Sequence, residues 1–237
     1  QAAFMEEALL HLMRGILVIL NNENATLIGG HSGEGSELAV GLAVNGTLTP
    51  GQALTKKGFS HGDRLILTKP IGVGVLLAAN TAANCQGRWL DNAFTFMLQS
   101  NQEAAAIMRA NGAHGCTNIT GLGLLGHLQE ILFASQCSAT ITLDNIPVLD
   151  GALQCSAQGI KNIFYNDNKL SSYYQNYNGR HPVFPLLFDP QTAGGLLAGI
   201  PARFTDECLR ALANAGYTAA KIGWIDNQRP EGIMIKE

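Results

Sequence analysis

The chain has 237 residues, 46% of them apolar and 14% charged, which is enough to bury a real core as one large domain or about two smaller ones. Fifteen basic residues against 18 acidic ones leave a net charge of −3, so neither a nucleic-acid footprint nor a basic membrane-binding face is expected. Apolar runs such as Gly15–Leu20 and Gly194–Pro201 fall far short of the ~20 residues a membrane helix needs, and no secretory signal pattern opens the chain.

In chain order, residues 3–20 carry Leu9, Leu12, Ile16 and Ile19 at helical spacing, which predicts an amphipathic helix stopped by the turn cluster Asn21–Asn24. Strands are expected at Thr26–Ile28 and Leu38–Val44, as a hairpin-like pair around a loop at Ser32–Ser36. Lys56–Asp63 reads as a surface connection, with a domain boundary beside it. Then come a strand at Arg64–Thr68, a helix over Gly74–Asn84, one long helix over Leu90–Ala110, a helix over Leu124–Ala134 and a strand at Ala139–Leu143. Asp144 and Asn145 are candidate caps for the turn at Ile146-Pro147. Residues 158–184 lack periodicity and are rich in Asn, Tyr and Ser, which reads as a long functional loop. Leu196–Ile200 is a buried strand, Thr205–Ala215 a helix, and Ala220–Ile225 and Gly232–Ile235 closing strands. The mixture predicts an α+β fold.

Cys85, Cys116, Cys137, Cys155 and Cys208 form no C-x-x-C pair and are odd in number, which points to free thiols in a reducing cytoplasm. The first residue, Gln1, opens directly onto a helical pattern, so an upstream segment is expected in the natural protein.

The 27 glycines cluster, and four segments can carry chemistry. In LIGGHS (27–32), a glycine pair at a strand end can bring backbone amides to a phosphate, with His31 and Ser32 as further donors, or can simply make a turn. In CTNITGLGLLGHL (116–128), polar side chains at 117, 118 and 120 precede a glycine-rich helix start. Such a place suits a metal or phosphate, or is a tight helix entry capped by Thr117 or Thr120. Cys116 and His127 read as structural, since neither has a neighbouring partner for nucleophilic catalysis. FDPQTAGGL (188–196) combines a turn with a glycine pair feeding a strand and reads as structural. Asn101 is the polar member of an otherwise apolar helical stripe formed by Phe94, Met97, Leu98, Ala105 and Met108; a buried Asn either locks a core or points at a site.

The runs 27–46, 62–79, 116–128 and 188–197, in this order, resemble the selenophosphate synthetase (selenide, water dikinase) family, within a group that includes aminoimidazole-ribonucleotide synthetase. The resemblance implies two domains: residues 1–60 as the end of an ATP-binding and dimerisation domain, and 61–237 as a complete α/β-sandwich C-terminal domain. It implies a cytoplasmic homodimer that turns ATP, selenide and water into selenophosphate, AMP and phosphate with Mg2+. It makes Gly30, His31 and Ser32 nucleotide contacts reaching across the dimer. It makes Asn118 the magnesium position, where the family carries Asp; an amide oxygen can coordinate but brings no charge. Leu122 stands where the family has Phe, and the family's G-G-T-x-x-N loop is not recognisable in Gly159–Asn168. The family's reactive Cys, essential Lys and further magnesium Asp residues would lie upstream of this chain, so the piece alone is expected to be inactive. A non-catalytic synthetase-like module for dimerisation or regulation is the alternative.

Overall fold

The structure, a computed structural model, describes residues 2–175, 177–226 and 232–237, with side chains from Met5 onward. The chain divides into two compact units, residues 1–52 and 53–237.

In the first unit, strong helix formers (AAFMEEALLHLM) nucleate α1 (Ala2–Asn22). Its end is a Schellman motif built on asparagine instead of glycine. Asn24 takes a left-handed φ of 54°, Ala25 N–H donates to Leu20 O at 2.8 Å and Asn24 N–H to Asn21 O at 3.2 Å. The two strands expected at Thr26–Ile28 and Leu38–Val44 are not formed: residues 25–44 carry no helix or strand. The alternation of Leu38, Val40, Leu42 and Val44 is that of a strand, but all four side chains are exposed. A strand exists only where a neighbour takes its N–H and C=O groups, and no segment of this unit offers that edge.

The second unit is a seven-stranded sheet made of β1 (Arg64–Leu67), β2 (Gly115–Asn118), β3 (Ala139–Thr142), β4 (Tyr174–Gln175), β5 (Leu196–Ile200), β6 (Ala220–Ile225) and β7 (Ile233–Lys236). The order across the sheet is β2-β5-β1-β6-β3-β7-β4; the β3–β7 and β7–β4 pairs are parallel and the others antiparallel. The strands are apolar on both faces, and side-chain alternation divides them between two cores. Leu65, Leu67 and Leu197 point into the larger core with α2 (Val73–Thr81), α3 (Gly87–Leu98), α5 (Gly123–Ser135) and α6 (Ala152–Ala157). Ile66, Ala198 and Ile200 point into the smaller one with α4 (Gln102–Ala110) and α8 (Thr205–Asn214). The fold is therefore a mixed α+β sandwich with helices on both faces.

The long helix expected over residues 90–110 is two helices, α3 and α4, separated by an extended Gln99. The break has a tertiary cause. Ala93 packs in one core while Ala104 and Met108 pack in the other, so the chain must change faces between them. The expected apolar stripe is accordingly split, and Phe94 and Leu98 are exposed. The stretch 158–184 is not a single loop: it holds α7 (Tyr165–Ser171) and β4. Tyr165, Tyr174, Tyr177, Phe184 and Phe188 form a chain of ring contacts with centroids 4.8–5.9 Å apart. No helix among the described residues is long and apolar enough to cross a membrane.

Gly223 marks the tightest point of the sheet, where a Cβ would lie 2.1 Å from Thr140 O. It sits beside the register shift that leaves Ile222 as an extra residue between the β1 partners Leu65 and Ile66. Gly223→Ala should cost roughly 1–3 kcal/mol or more by overpacking. Gly87→Ala, where nothing lies within 4 Å, should be neutral or stabilise by up to about 1 kcal/mol. Urea denaturation of both variants checks the contrast.

Candidate functional site

Residues 188–195 hold the second unit together at the open end of β5. The first turn of α2 has no cap of its own: Gly72 precedes it with φ 121°, and a Cβ there would meet Ala152 Cβ at 2.5 Å. Its free N–H groups are taken by two side chains from a distant segment. Gln191 Oε1 accepts from Gly72 N (3.0 Å) and Val73 N (3.1 Å), and Asp189 Oδ2 accepts from Val75 N (3.0 Å). Gln191 Nε2 donates to Asp189 O and Oδ2, which fixes the amide's orientation. Asp189 is buried, and that burial pushes its pKa up to about 7, against the pull of the N–H groups of Val75, Gln191 and Gly74.

The glycine pair that follows is required by contact. A Cβ at Gly194 would lie 2.3 Å from Ile119 O, and one at Gly195 would lie 2.6 Å from Lys69 N. Lys69 is 2% exposed, and its Nζ donates to Gln99 O (2.6 Å) and Ala193 O (3.2 Å). Burial lowers its pKa to about 8. Asn101 Nδ2 donates to Gly194 O at 2.9 Å, so Asn101 locks this loop. Among the described residues, the buried oxygens Gln99 Oε1 and Asn101 Oδ1 have no partner.

The turn after β2 rests on the same loop. Ile119 N donates to Gly195 O, and Thr120 O accepts from both Gly123 N and Gln191 N. Gly123 has φ 71° and its Cβ would lie 2.8 Å from Leu187 O. Asn168 Nδ2 ties Gly121 O to Phe188 O at 2.8 and 3.0 Å. Asn118 is the last residue of β2 and exposed, and its side chain has no partner among the described residues. Thr117 and Thr120 do not cap α5, whose N-cap position is Leu122. Instead Thr120 Oγ1 lies 3.0 Å from His127 Nε2, His127 Nδ1 lies 2.9 Å from Glu130 Oε2, and Lys56 Nζ lies 2.8 Å from the same oxygen. His127 is buried, and desolvation lowers its pKa despite Glu130. Burial works against the Glu130 charge, but the hydrogen bonds from Lys56 and His127 outweigh it and hold its pKa low.

Gly30, His31 and Ser32 lie in the first unit, exposed, in the segment without helix or strand. Gly29 and Gly30 have neither a positive φ nor any described atom of their own unit within 4 Å of an added Cβ, so within that unit neither a turn nor a contact requires them. Four residues were missed from the sequence: Lys69, Asn168, and Glu130 and Lys56 as the partners that extend from His127. The i, i+3 spacing of His127 and Glu130, and a lysine at the end of the apolar run LIL, were the available signals. A cavity of about 410 Å³ beside Arg88, Trp89, Asp150 and Gln154 contains none of the motif residues.

The sandwich and its interlocked turns define an AIR synthase related protein, C-terminal domain: that family model matches residues 60–236. Solved structures show the same fold. Thiamine-monophosphate kinase from Stenotrophomonas maltophilia K279a superposes with TM-score 0.58 at 16% identity, over 79% of this chain and 54% of that one. Hydrogenase maturation protein HypE in complex with ATP superposes with TM-score 0.52 at 17% identity, over 73% and 45%. Within this group the chain belongs to the selenide, water dikinase family. It is 34% identical over 229 residues to the selenide, water dikinase of Pelobacter propionicus, covering 95% of this chain and 66% of that one. The values for Geobacter metallireducens are 34% over 234 residues, 97% and 67%. For Caldanaerobacter subterraneus subsp. tengcongensis they are 34% over 238 residues, 99% and 69%. The chain thus spans about two thirds of the length of these relatives.

Asp189 sets a pH dependence. With the folded pKa raised to about 7 from an ordinary 3.8, the folded state holds a proton that the unfolded state has lost. The Asp189 contribution is therefore fully present below about pH 4 and is lost as pH rises to about 7. Asp189→Asn keeps an acceptor for Val75 N and should flatten that part of the stability–pH curve, measured by urea midpoints between pH 4 and 8. A slope unchanged in the variant would exclude Asp189 as its source.

Proposed function

We propose that the protein carrying this chain makes selenophosphate from ATP, selenide and water, releasing AMP and phosphate. The observation that carries the reading is the free Asn118 amide at the open end of β2, on a turn fixed by three other segments, in a chain that aligns over nearly its whole length with selenide, water dikinases. ATP as substrate is supported by a fold neighbour, HypE, solved with ATP. Phosphoryl transfer depends on positioning and on charge neutralisation at the phosphates, and magnesium supplies the latter when bound.

The donors here suit a cation only in one mode. Among the described residues no three His, Cys, Asp or Glu side chains gather into a metal cluster. Magnesium characteristically takes one or two protein oxygens, with phosphate oxygens and water completing its octahedron. Asn118 Oδ1 fits that role as a neutral ligand. Gly30, His31 and Ser32 serve as nucleotide contacts. The absence of any internal reason for Gly29-Gly30 supports a backbone kept bare for something that approaches it. In this reading the protein is a cytoplasmic homodimer, and the exposed row Leu38–Val44 is available for pairing with another chain. All five thiols are free, as a reducing compartment would keep them.

The uncharged Asn118 favours one second reading, a synthetase-like module without catalysis, kept for dimerisation or regulation. In the longer protein that carries this chain, selenophosphate detected by 31P NMR from ATP, Mg2+ and selenide supports the synthetase, and ATP left intact in the presence of selenide supports the module. In that longer protein, Asn118→Asp should tighten Mg2+ binding in the presence of a non-hydrolysable ATP analogue by about tenfold, because it adds a charge to the ligand set. Calorimetry giving equal affinities would remove Asn118 from the ligands.

A further inference from the structure

The cavity of about 410 Å³ lies where the first turn of α3 meets the turn that leads into α6. One wall is Arg88 and Trp89; the other is the stretch 148–154. Val148, Leu149 and Leu153 make part of that second wall apolar, and Leu149 is rooted in the larger core. Its backbone is fastened to the rest of the unit, since Ile71 N donates to Pro147 O and Leu149 N donates to Ile71 O, both at 3.0 Å. The indole is fixed as well. Gly151 has φ 83°, and a Cβ there would run into the Trp89 ring, so the ring rests on bare backbone. Both walls are thus set by the fold itself, as ligand cavities usually are.

Two opposite charges border this surface without meeting. Arg88 and Asp150 both line the cavity, both are exposed, and no ion pair joins them among the described residues. Arg88 Nε donates to Gln86 Oε1 at 3.0 Å, which orients the guanidinium, and its Nη groups have no partner among the described residues. The Asp150 carboxylate has none there either. A ligand with a single charge would satisfy one of these groups and be repelled by the other. A ligand carrying both signs can satisfy both: the planar Nη edge of arginine takes a carboxylate through two parallel hydrogen bonds, and a carboxylate accepts from an ammonium. The size limits what lies between them. The cavity is near the lower end of the ~300–1,000 Å³ that ligand sites occupy, which suits an amino acid and excludes a long peptide. The apolar wall and the indole select an apolar or aromatic side chain.

We propose that this cavity binds a free α-amino acid with an apolar or aromatic side chain, its carboxylate on Arg88, its ammonium on Asp150 and its side chain against Trp89 and Leu153. The site contains none of the motif residues, so the inference does not rest on the reading of Asn118.

The test uses the longer protein that carries this chain, labelled with 5-fluorotryptophan and followed by 19F NMR, with the Trp89 signal assigned by its loss in Trp89→Phe. The probes are L-phenylalanine, phenylalaninamide, which lacks the carboxylate, and N-acetylphenylalanine, which lacks the ammonium. L-phenylalanine should shift the Trp89 signal saturably with a Kd of about 1 mM or tighter, and each derivative should bind at least about tenfold more weakly. Arg88→Gln should remove the preference over the amide, and Asp150→Asn the preference over the N-acetyl compound, with urea midpoints unchanged. No saturable shift up to about 10 mM overturns the site. Equal binding of the three probes overturns the recognition of a zwitterion. Preferences that survive in both variants overturn the assignment to Arg88 and Asp150.

Discussion

The two carboxamide and carboxylate groups of Gln191 and Asp189 satisfy the first turn of a helix more than a hundred residues earlier in the chain. Much of the second unit hangs on that contact. The backbone that carries these side chains also accepts from Ile119 at Gly195 O and donates to Thr120 O at Gln191 N. α2, the end of β2 and the start of β5 are thereby fixed to one loop. Each connection needs bare backbone, because the close approaches at Gly74, Gly194 and Gly195 all fall under 2.7 Å for an added Cβ. A helix start buried without a cap residue is costly; here the cap is supplied in trans, so α2 is stable only when the loop is seated.

The same loop explains a buried lysine. Among the described residues no carboxylate pairs with Lys69; its partners are the carbonyls of Gln99 and Ala193. Those carbonyls belong to the break between α3 and α4 and to the loop itself. One ammonium with three donors can bridge two irregular segments whose carbonyls have no ladder to join. Desolvation penalises its charge, which is why its pKa falls. The break at Gln99 is thus held by the side chain of Lys69 as much as by its own sequence.

What could be read in the sequence was what is local. The helices and strands with clear periodicity stand where spacing puts them: α1, β1, α5, β3, β5, α8 and β6. The Asn21–Asn24 stop is a Schellman turn. The failures share a cause, which is that their determinants lie far along the chain. Residues 90–110 look like one helix because each half is amphipathic, and only the two separate cores reveal the break. Leu38–Val44 has strand periodicity and no strand, since pairing belongs to the neighbour. β2 was invisible because Gly115-Cys116-Thr117-Asn118 has little strand propensity; it is a strand because β5 pairs with it. At the site, the motif glycines were legible as tight places, but not what they were tight against. Thr120 looked like a cap because Ser and Thr usually are at a helix start, whereas its hydroxyl is committed to His127.

Glycines sort the motifs by what constrains them. At Gly123, Gly194 and Gly195 the fold itself forbids a side chain, so those residues would be needed whether or not a ligand ever binds. At Gly29 and Gly30 no described atom of their own unit lies within 4 Å to forbid one. The DPQTAGG and TGLGLLGHL segments are therefore primarily architecture, and what that architecture leaves exposed at the end of β2 is Asn118. Under the proposed function, the neutral Asn118 oxygen would not gather a cation unaided, so charge would have to arrive with the phosphates, and binding of metal and nucleotide would be a coupled event instead of two independent ones.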